Sequence, residues 1–162
     1  MPPITACIGG WNGRTLIMIV ADIMTRTPVT IRADHSLAQA LELMQHTGCR
    51  HLPVISRHGH VIGILSDRDC RSALNSPHVH NENWNNEELS KHLMVRVAMT
   101  PAPITTEPDL PASEAARLML NNHVGCLPVM RAETLVGIVT TSDILMAFIN
   151  LQKPEFRVSD PK

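Results

Sequence analysis

Apolar and polar positions along this chain follow a pattern that changes period several times and then begins again. Leu37, Ala40, Leu41 and Met44 step by three and four, the spacing of one buried helix face. Ser36 and Gln39 form a capping-box pair ahead of that stripe, and Gly48 stands where it stops. A short β-branched stretch at residues 29–32 precedes the helix. Two more aliphatic runs follow it, residues 51–55 and 61–65, and the turn between them is rich in Gly, His and charge, which predicts a hairpin. A last helix starts at Ser66 and runs through Cys70 to Leu74. The predicted order is β-α-β-β-α.

The same order then returns. Met24-Thr25 is matched by Met99-Thr100, an offset of 75 residues that also carries Pro28 onto Pro103, Thr30 onto Thr105, Asp34 onto Asp109 and Met44 onto Met119. Leu52-Pro53-Val54 falls on Leu127-Pro128-Val129. One residue is then lost in the following turn, and an offset of 74 brings Gly63 onto Gly137 and Asp69 onto Asp143. This is an internal repeat. In the second copy a strand is expected at 104–106. Pro111 suits the first helical position, Ala112, Ala115, Ala116 and Met119 form the buried stripe, and residues 126–130 and 135–139 form the hairpin. Pro53 and Pro128 fall inside strands, which predicts edge positions or irregular pairing there.

The fold class is therefore α+β, organised as a flexible extension (1–17), a first unit (18–74), a connector with a short helix at 87–93 (75–92), a second unit (93–149) and a polar tail (150–162). A chain of 162 residues buries roughly 68–70% of its unfolded surface, enough for a real core. Fourteen basic and fifteen acidic residues leave no basic block for phosphate backbones, and Trp11, Trp84, Phe148 and Phe156 are too few for base stacking, so no nucleic-acid role is expected. Cys7, Cys49, Cys70 and Cys126 show no C-x-x-C spacing and read as reduced thiols of a cytoplasmic protein. No apolar run approaches the length of a membrane span or a signal-peptide core, so no membrane association is expected.

The chemistry concentrates where each hairpin ends. Residues 61–69 read V-I-G-I-L-S-D-R-D and residues 135–143 read L-V-G-I-V-T-T-S-D. A helix beginning at Ser66 or Thr140 points unpaired backbone N–H groups and its positive dipole end outward, which attracts phosphate. The same S-x-x-D and T-x-x-D spacings are also plain helix caps, worth about 1 kcal/mol. Their recurrence after a glycine-bearing strand in both copies is what favours a ligand. Of nine histidines only His58-x-His60 and His78-x-His80 are close pairs, and neither supplies a third metal ligand, so no metal is expected. No nucleophile with a positioned base, P-loop or dinucleotide fingerprint is present, so the chain is not read as an enzyme.

Two units that open near M-T-x-x-P, carry L-P-V on the second strand and close on G-h-h-[ST]-x-x-D resemble a tandem pair of CBS domains, over roughly residues 18–149. The resemblance implies two units related by a pseudo-twofold axis, with two clefts for adenine nucleotides (AMP, ADP, ATP) or a related adenosyl ligand. It implies that Asp69 and Asp143 hold ribose hydroxyls and that Ser66 and Thr140 meet phosphate. The base would lie near Pro28 to Thr30 and Pro103 to Thr105, beside the strand entries His51-Leu52-Pro53 and Cys126-Leu127-Pro128. The function it implies is a regulatory ligand-sensing module that signals to a separate partner protein and carries no cofactor beyond its regulatory nucleotide. The alternative is a structural dimerisation module with degenerate clefts. Leu145, Met146 and Phe148 have no partner within the repeat, which predicts a homodimer. Grouping residues by unit predicts one basic cleft (Arg50, His51, Arg68, Arg71) that prefers ATP or ADP. It predicts one neutral cleft (Gly125, Cys126, Ser142, Leu145) that accepts AMP or a less anionic ligand.

Overall fold

The structure, a computed structural model, describes residues 17–75 and 86–152. The extension expected at 1–17 and the tail expected at 150–162 lie almost wholly outside those residues, as do His78 and His80. In the first half of the chain the elements are α1 (Val20–Ile23), β1 (Thr25–Arg26), β2 (Ile31–Arg32), α2 (Leu37–Thr47), β3 (His51–Ile55), β4 (Val61–Ser66) and α3 (Asp67–Leu74). In the second they are α4 (Asn86–His92), α5 (Val95–Ala98), β5 (Thr100–Pro101), α6 (Ala112–Asn122), β6 (Cys126–Arg131), β7 (Thr134–Thr140) and α7 (Thr141–Leu151).

The helices form where local chemistry places them. Ser36 caps α2: its Oγ accepts from the Gln39 N–H at 3.2 Å and Gln39 Oε1 accepts from the Ser36 N–H at 3.0 Å, while Gly48 ends the helix at φ 69°. α6 has no such cap. Pro111 stands one position earlier than expected, at the N-cap, and His123 takes the left-handed terminating conformation at φ 55°. Leu37, Ala40 and Met44 of α2 and Ala115 and Met119 of α6 are buried against the hairpins.

Two sheets result, one ordered β2-β3-β4-β5 and the other β1-β7-β6. Pro53 lies on β3, between two strands, and pairs with Ile64 of β4. β2 reaches β3 only from Val54 onward, so the missing Pro53 N–H falls where the sheet has no outer neighbour. Pro128 lies on β6, an edge strand. Beyond it the expected strand at 104–106 reduces to one bridge, where the Thr106 N–H donates to the Pro128 carbonyl at 3.0 Å and the Met130 N–H to the Thr106 carbonyl at 2.8 Å.

The opening segments cross over. β1, from the first copy, pairs with β7 of the second, and β5, from the second copy, pairs with β4 of the first. The helical turns that precede them follow. Val20 is buried with Ala115, Met119, Leu127, Val129 and Val139, whereas Val95 is buried with Leu37, Leu52, Leu65 and Cys70. Each unit read from the repeat therefore completes its core with the other's first eight or so residues. The connector helix α4 joins the first core through Leu89.

Candidate functional site

The crossing explains the glycine of the repeated motif. A Cβ on Gly63 would stand 2.7 Å from the Met99 sulfur and 3.1 Å from the Thr100 carbonyl, and one on Gly137 would stand 2.5 Å from the Met24 sulfur and 3.1 Å from the Thr25 carbonyl. Each glycine is the place where the other copy's Met-Thr dipeptide lies flat on the strand. Three residues past each glycine, the strand ends and a helix begins.

At those helix starts the two aspartates sit alike. The Ser66 N–H and Oγ–H both donate to Asp69 Oδ2, at 2.8 and 2.6 Å. The Thr140 N–H and Oγ1–H both donate to Asp143 Oδ2, at 2.7 Å each. The reciprocal bonds, from the Asp69 N–H to Ser66 Oγ and from the Asp143 N–H to Thr140 Oγ1, are longer at 3.2 and 3.4 Å. The capping duty falls wholly on Oδ2, and Oδ1 of each half-buried carboxylate accepts nothing among the described residues. The cap and a hydroxyl acceptor are thus two ends of one side chain.

Two clefts open beside these carboxylates, and both are built crosswise. One, about 670 Å³, brings Ser66, Arg68 and Asp69 of the first copy against Thr100, Ala102, Pro103, Ile104, Gly125 and Cys126 of the second. The other, about 390 Å³, brings Thr140, Ser142 and Asp143 of the second copy against Thr25, Thr27, Pro28, Val29 and Cys49 of the first. Both volumes lie within the range of ordinary small-molecule sites. Arg50 and His51 line both.

This arrangement corrects the unit-by-unit grouping. Gly125 and Cys126 belong with Asp69, not with Asp143, and Arg50 and His51 belong to both clefts. Arg71 turns away to Asp67 at 2.8 Å, and Leu145 is exposed on α7. Thr30 lines neither of these clefts but a more open depression, about 410 Å³, with His58, His60 and Glu133. Pro53 and Pro128 are fully buried inside the units, and Thr105 is exposed away from both clefts. Residues not foreseen at the clefts include Thr25, Thr27, Cys49, Thr100, Ala102, His123 and Val124. The Met-Thr repeat was the available signal for Thr25 and Thr100.

Electrostatics at the dividing wall are uneven. Burial, and then the neighbouring Arg50 cation, hold the His51 imidazole below its ordinary pKa, with Asp69 opposing them. Burial and then the Asp69 carboxylate push the Cys126 thiol up to about 12. His51 and Cys126 are therefore neutral groups near neutral pH. Among the described residues no group of three or more His, Cys, Asp or Glu is placed to hold a metal ion. Likewise, no helix is long and apolar enough to cross a membrane.

Comparison with known proteins agrees with this architecture. The model of the CBS domain matches residues 20–76 and 94–150. A CBS domain-containing protein of Dictyostelium discoideum is 35% identical over 138 residues, 85% of this chain and 95% of that one. An uncharacterised protein of Methanocaldococcus jannaschii is 29% identical over 82% of this chain and 92% of its own length. Among solved structures, the CBS domain pair of protein MJ0100 in complex with 5′-methylthioadenosine and S-adenosyl-L-methionine is 27% identical, covers 84% of this chain and 99% of that one, and superposes with a TM-score of 0.71. CBSX2 in complex with AMP is also 27% identical, covers 83% and 99%, and gives a TM-score of 0.69. With two domain matches across most of its length and this fold, the chain belongs to the CBS-domain family, as a tandem pair.

Proposed function

We propose that this chain is a regulatory module, without catalytic activity of its own, that senses an adenosyl ligand in the clefts between its two CBS units and passes the signal to a separate protein. The observation that carries the reading is the shared construction of the two clefts. In each, a carboxylate with one uncommitted oxygen stands at a helix start and faces the proline-containing segment of the other unit. A ribose diol can donate to that oxygen, a phosphate can meet the helix terminus, and a flat base can rest on Val29 or on Ala102 and Ile104. Similar CBS pairs hold AMP or S-adenosyl-L-methionine and 5′-methylthioadenosine, which supports the ligand class.

AMP has about 23 heavy atoms, and roughly 0.3 kcal/mol per atom gives about 7 kcal/mol, an affinity on the order of 10 μM. The Asp69 cleft carries Arg68 where the Asp143 cleft carries Ser142, so the first takes the more anionic ligand, ADP or ATP. The second takes AMP or an uncharged adenosyl compound. Titration calorimetry and thermal shift with ATP, ADP, AMP, S-adenosyl-L-methionine and 5′-methylthioadenosine test the reading. A ligand at 100 times its dissociation constant adds about 2.7 kcal/mol of stability. No heat and no shift at millimolar concentration of any of them would overturn it and leave the alternative, a structural dimerisation module with empty clefts.

A further inference from the structure

Resting on the nucleotide reading above, we propose that Arg50 is a single phosphate ligand shared by the two clefts, so that a phosphorylated ligand in one cleft weakens the binding of a second in the other. Around the pseudo-twofold axis the backbone is symmetric. The Asp67 N–H donates to the Arg50 carbonyl at 3.1 Å, and the Thr141 N–H donates to the Gly125 carbonyl at 3.0 Å. The side chains are not symmetric. The position equivalent to Arg50 is Gly125, which carries no side chain, and its nearest neighbour is His51, whose Nε2 would lie in ordinary contact, 3.6 Å from a Cβ built there. His51 is the poorer cation of the two, because burial and Arg50 disfavour its charged form. One guanidinium therefore faces two helix termini.

That guanidinium is uncommitted. Its Nη2 donates to Ser142 Oγ at 3.4 Å, a long contact to a neutral partner on the Asp143 side, yet the residue also lines the Asp69 cleft. Among the described residues it forms no ion pair, whereas Arg32, Arg71 and Arg117 each reach a carboxylate on their own segment. The Arg50 main chain is pinned by the Asp67 bond, so the side chain moves between clefts while its root stays fixed. A phosphate that binds first captures and neutralises it. The second phosphate then meets a helix terminus alone in the Asp143 cleft, or Arg68 alone in the Asp69 cleft. Charge-assisted bonds to a guanidinium are strong enough to make this difference about tenfold or more in affinity. An uncharged adenosyl ligand makes no such claim on Arg50 and binds both clefts independently.

The test compares the Asp143 cleft alone with the same cleft when its neighbour is filled. Asp69→Asn keeps a cap acceptor for Ser66 and removes the carboxylate of the other cleft. AMP binding to this variant gives the uncoupled affinity of the Asp143 cleft, and AMP binding to the unmodified chain whose Asp69 cleft already holds one equivalent of ATP gives the coupled one. The expected gap is at least about tenfold for AMP and absent for adenosine, and it falls below about threefold when Arg50→Ala is added to both proteins. Phosphorus NMR of AMP bound to the unmodified chain and to the Arg50→Ala chain reads both clefts without Asp69→Asn. A gap that survives Arg50→Ala is repulsion between ligands and overturns the proposal. Equal, independent AMP constants in the unmodified chain also overturn it, while leaving the nucleotide reading intact. No binding of AMP or adenosine at all overturns both.

Discussion

At the scale of single residues, the neutral groups at the cleft wall make predictions about pH. Burial and Arg50 depress the folded-state pKa of His51, so the stability linked to its neutral form is present above its ordinary value of 6.5 and is lost as pH falls through the folded value. Its imidazole resonances should titrate with a midpoint below 6.5, and Arg50→Ala should move that midpoint upward. The two buried thiols behave oppositely. The folded-state pKa values of Cys70 and Cys126 are raised to about 11 and about 12 from an ordinary 9.0, so their contribution is complete below pH 9 and is lost as pH climbs through those values. Between about pH 8 and about pH 10.5, urea unfolding should show a stability loss of about 2 kcal/mol per thiol, and Cys126→Ala should flatten that slope. The glycines are tested by addition of one methyl group. Gly137→Ala forces a carbon onto Met24 and the Thr25 carbonyl and should cost about 1–3 kcal/mol in chemical denaturation.

At the scale of elements, most of what the repeat predicted is local. Capping boxes, stripes with a step of three and four, and alternating hairpin strands are specified by neighbours within a few positions, and so α2, α3, α7 and both hairpins were legible. Strands β1 and β5 were not. They are two residues long, their partners lie more than 35 positions away, and nothing in Thr25-Arg26 or Thr100-Pro101 tells which sheet will receive them. Because that crossing was not legible, neither was the membership of the clefts, although Asp69, Ser66, Asp143 and Thr140 were all placed by motif alone. The crossing predicts where damage will appear. Val20→Ala should cost about 2 kcal/mol, and hydrogen exchange should quicken in α6, β6 and β7, over residues 112–140. If protection fell instead in α2 and β3, the assignment of Val20 to the second core would be wrong.

At the scale of the whole molecule, one face has no counterpart among the described residues. α7 buries only Ala147, while Leu145, Met146, Phe148, Ile149 and Leu151 are each more than half exposed, and Ile17 and Met18 extend the same apolar surface. An apolar area of that extent fits a second copy of the chain. The expected state is a homodimer at micromolar concentration. Leu145→Glu combined with Phe148→Glu should give a folded monomer by light scattering, with each cleft still formed because neither residue lines one. A monomeric mass for the unmodified chain would remove this part of the reading.

The exchange of opening segments also bears on how such a chain arises. A lone β-α-β-β-α unit with its leading strand attached cannot lay that strand on its own sheet, since the glycine that accepts it belongs to another copy. It would leave one strand unpaired and one groove vacant, and both needs are met by an identical neighbour that gives its strand and takes the other. The tandem chain is, in effect, that pair of neighbours joined by a covalent tether. Once tethered, the halves are free to differ: one carries an arginine at position 50 and the other a glycine at position 125, a difference that two separate identical copies could not hold.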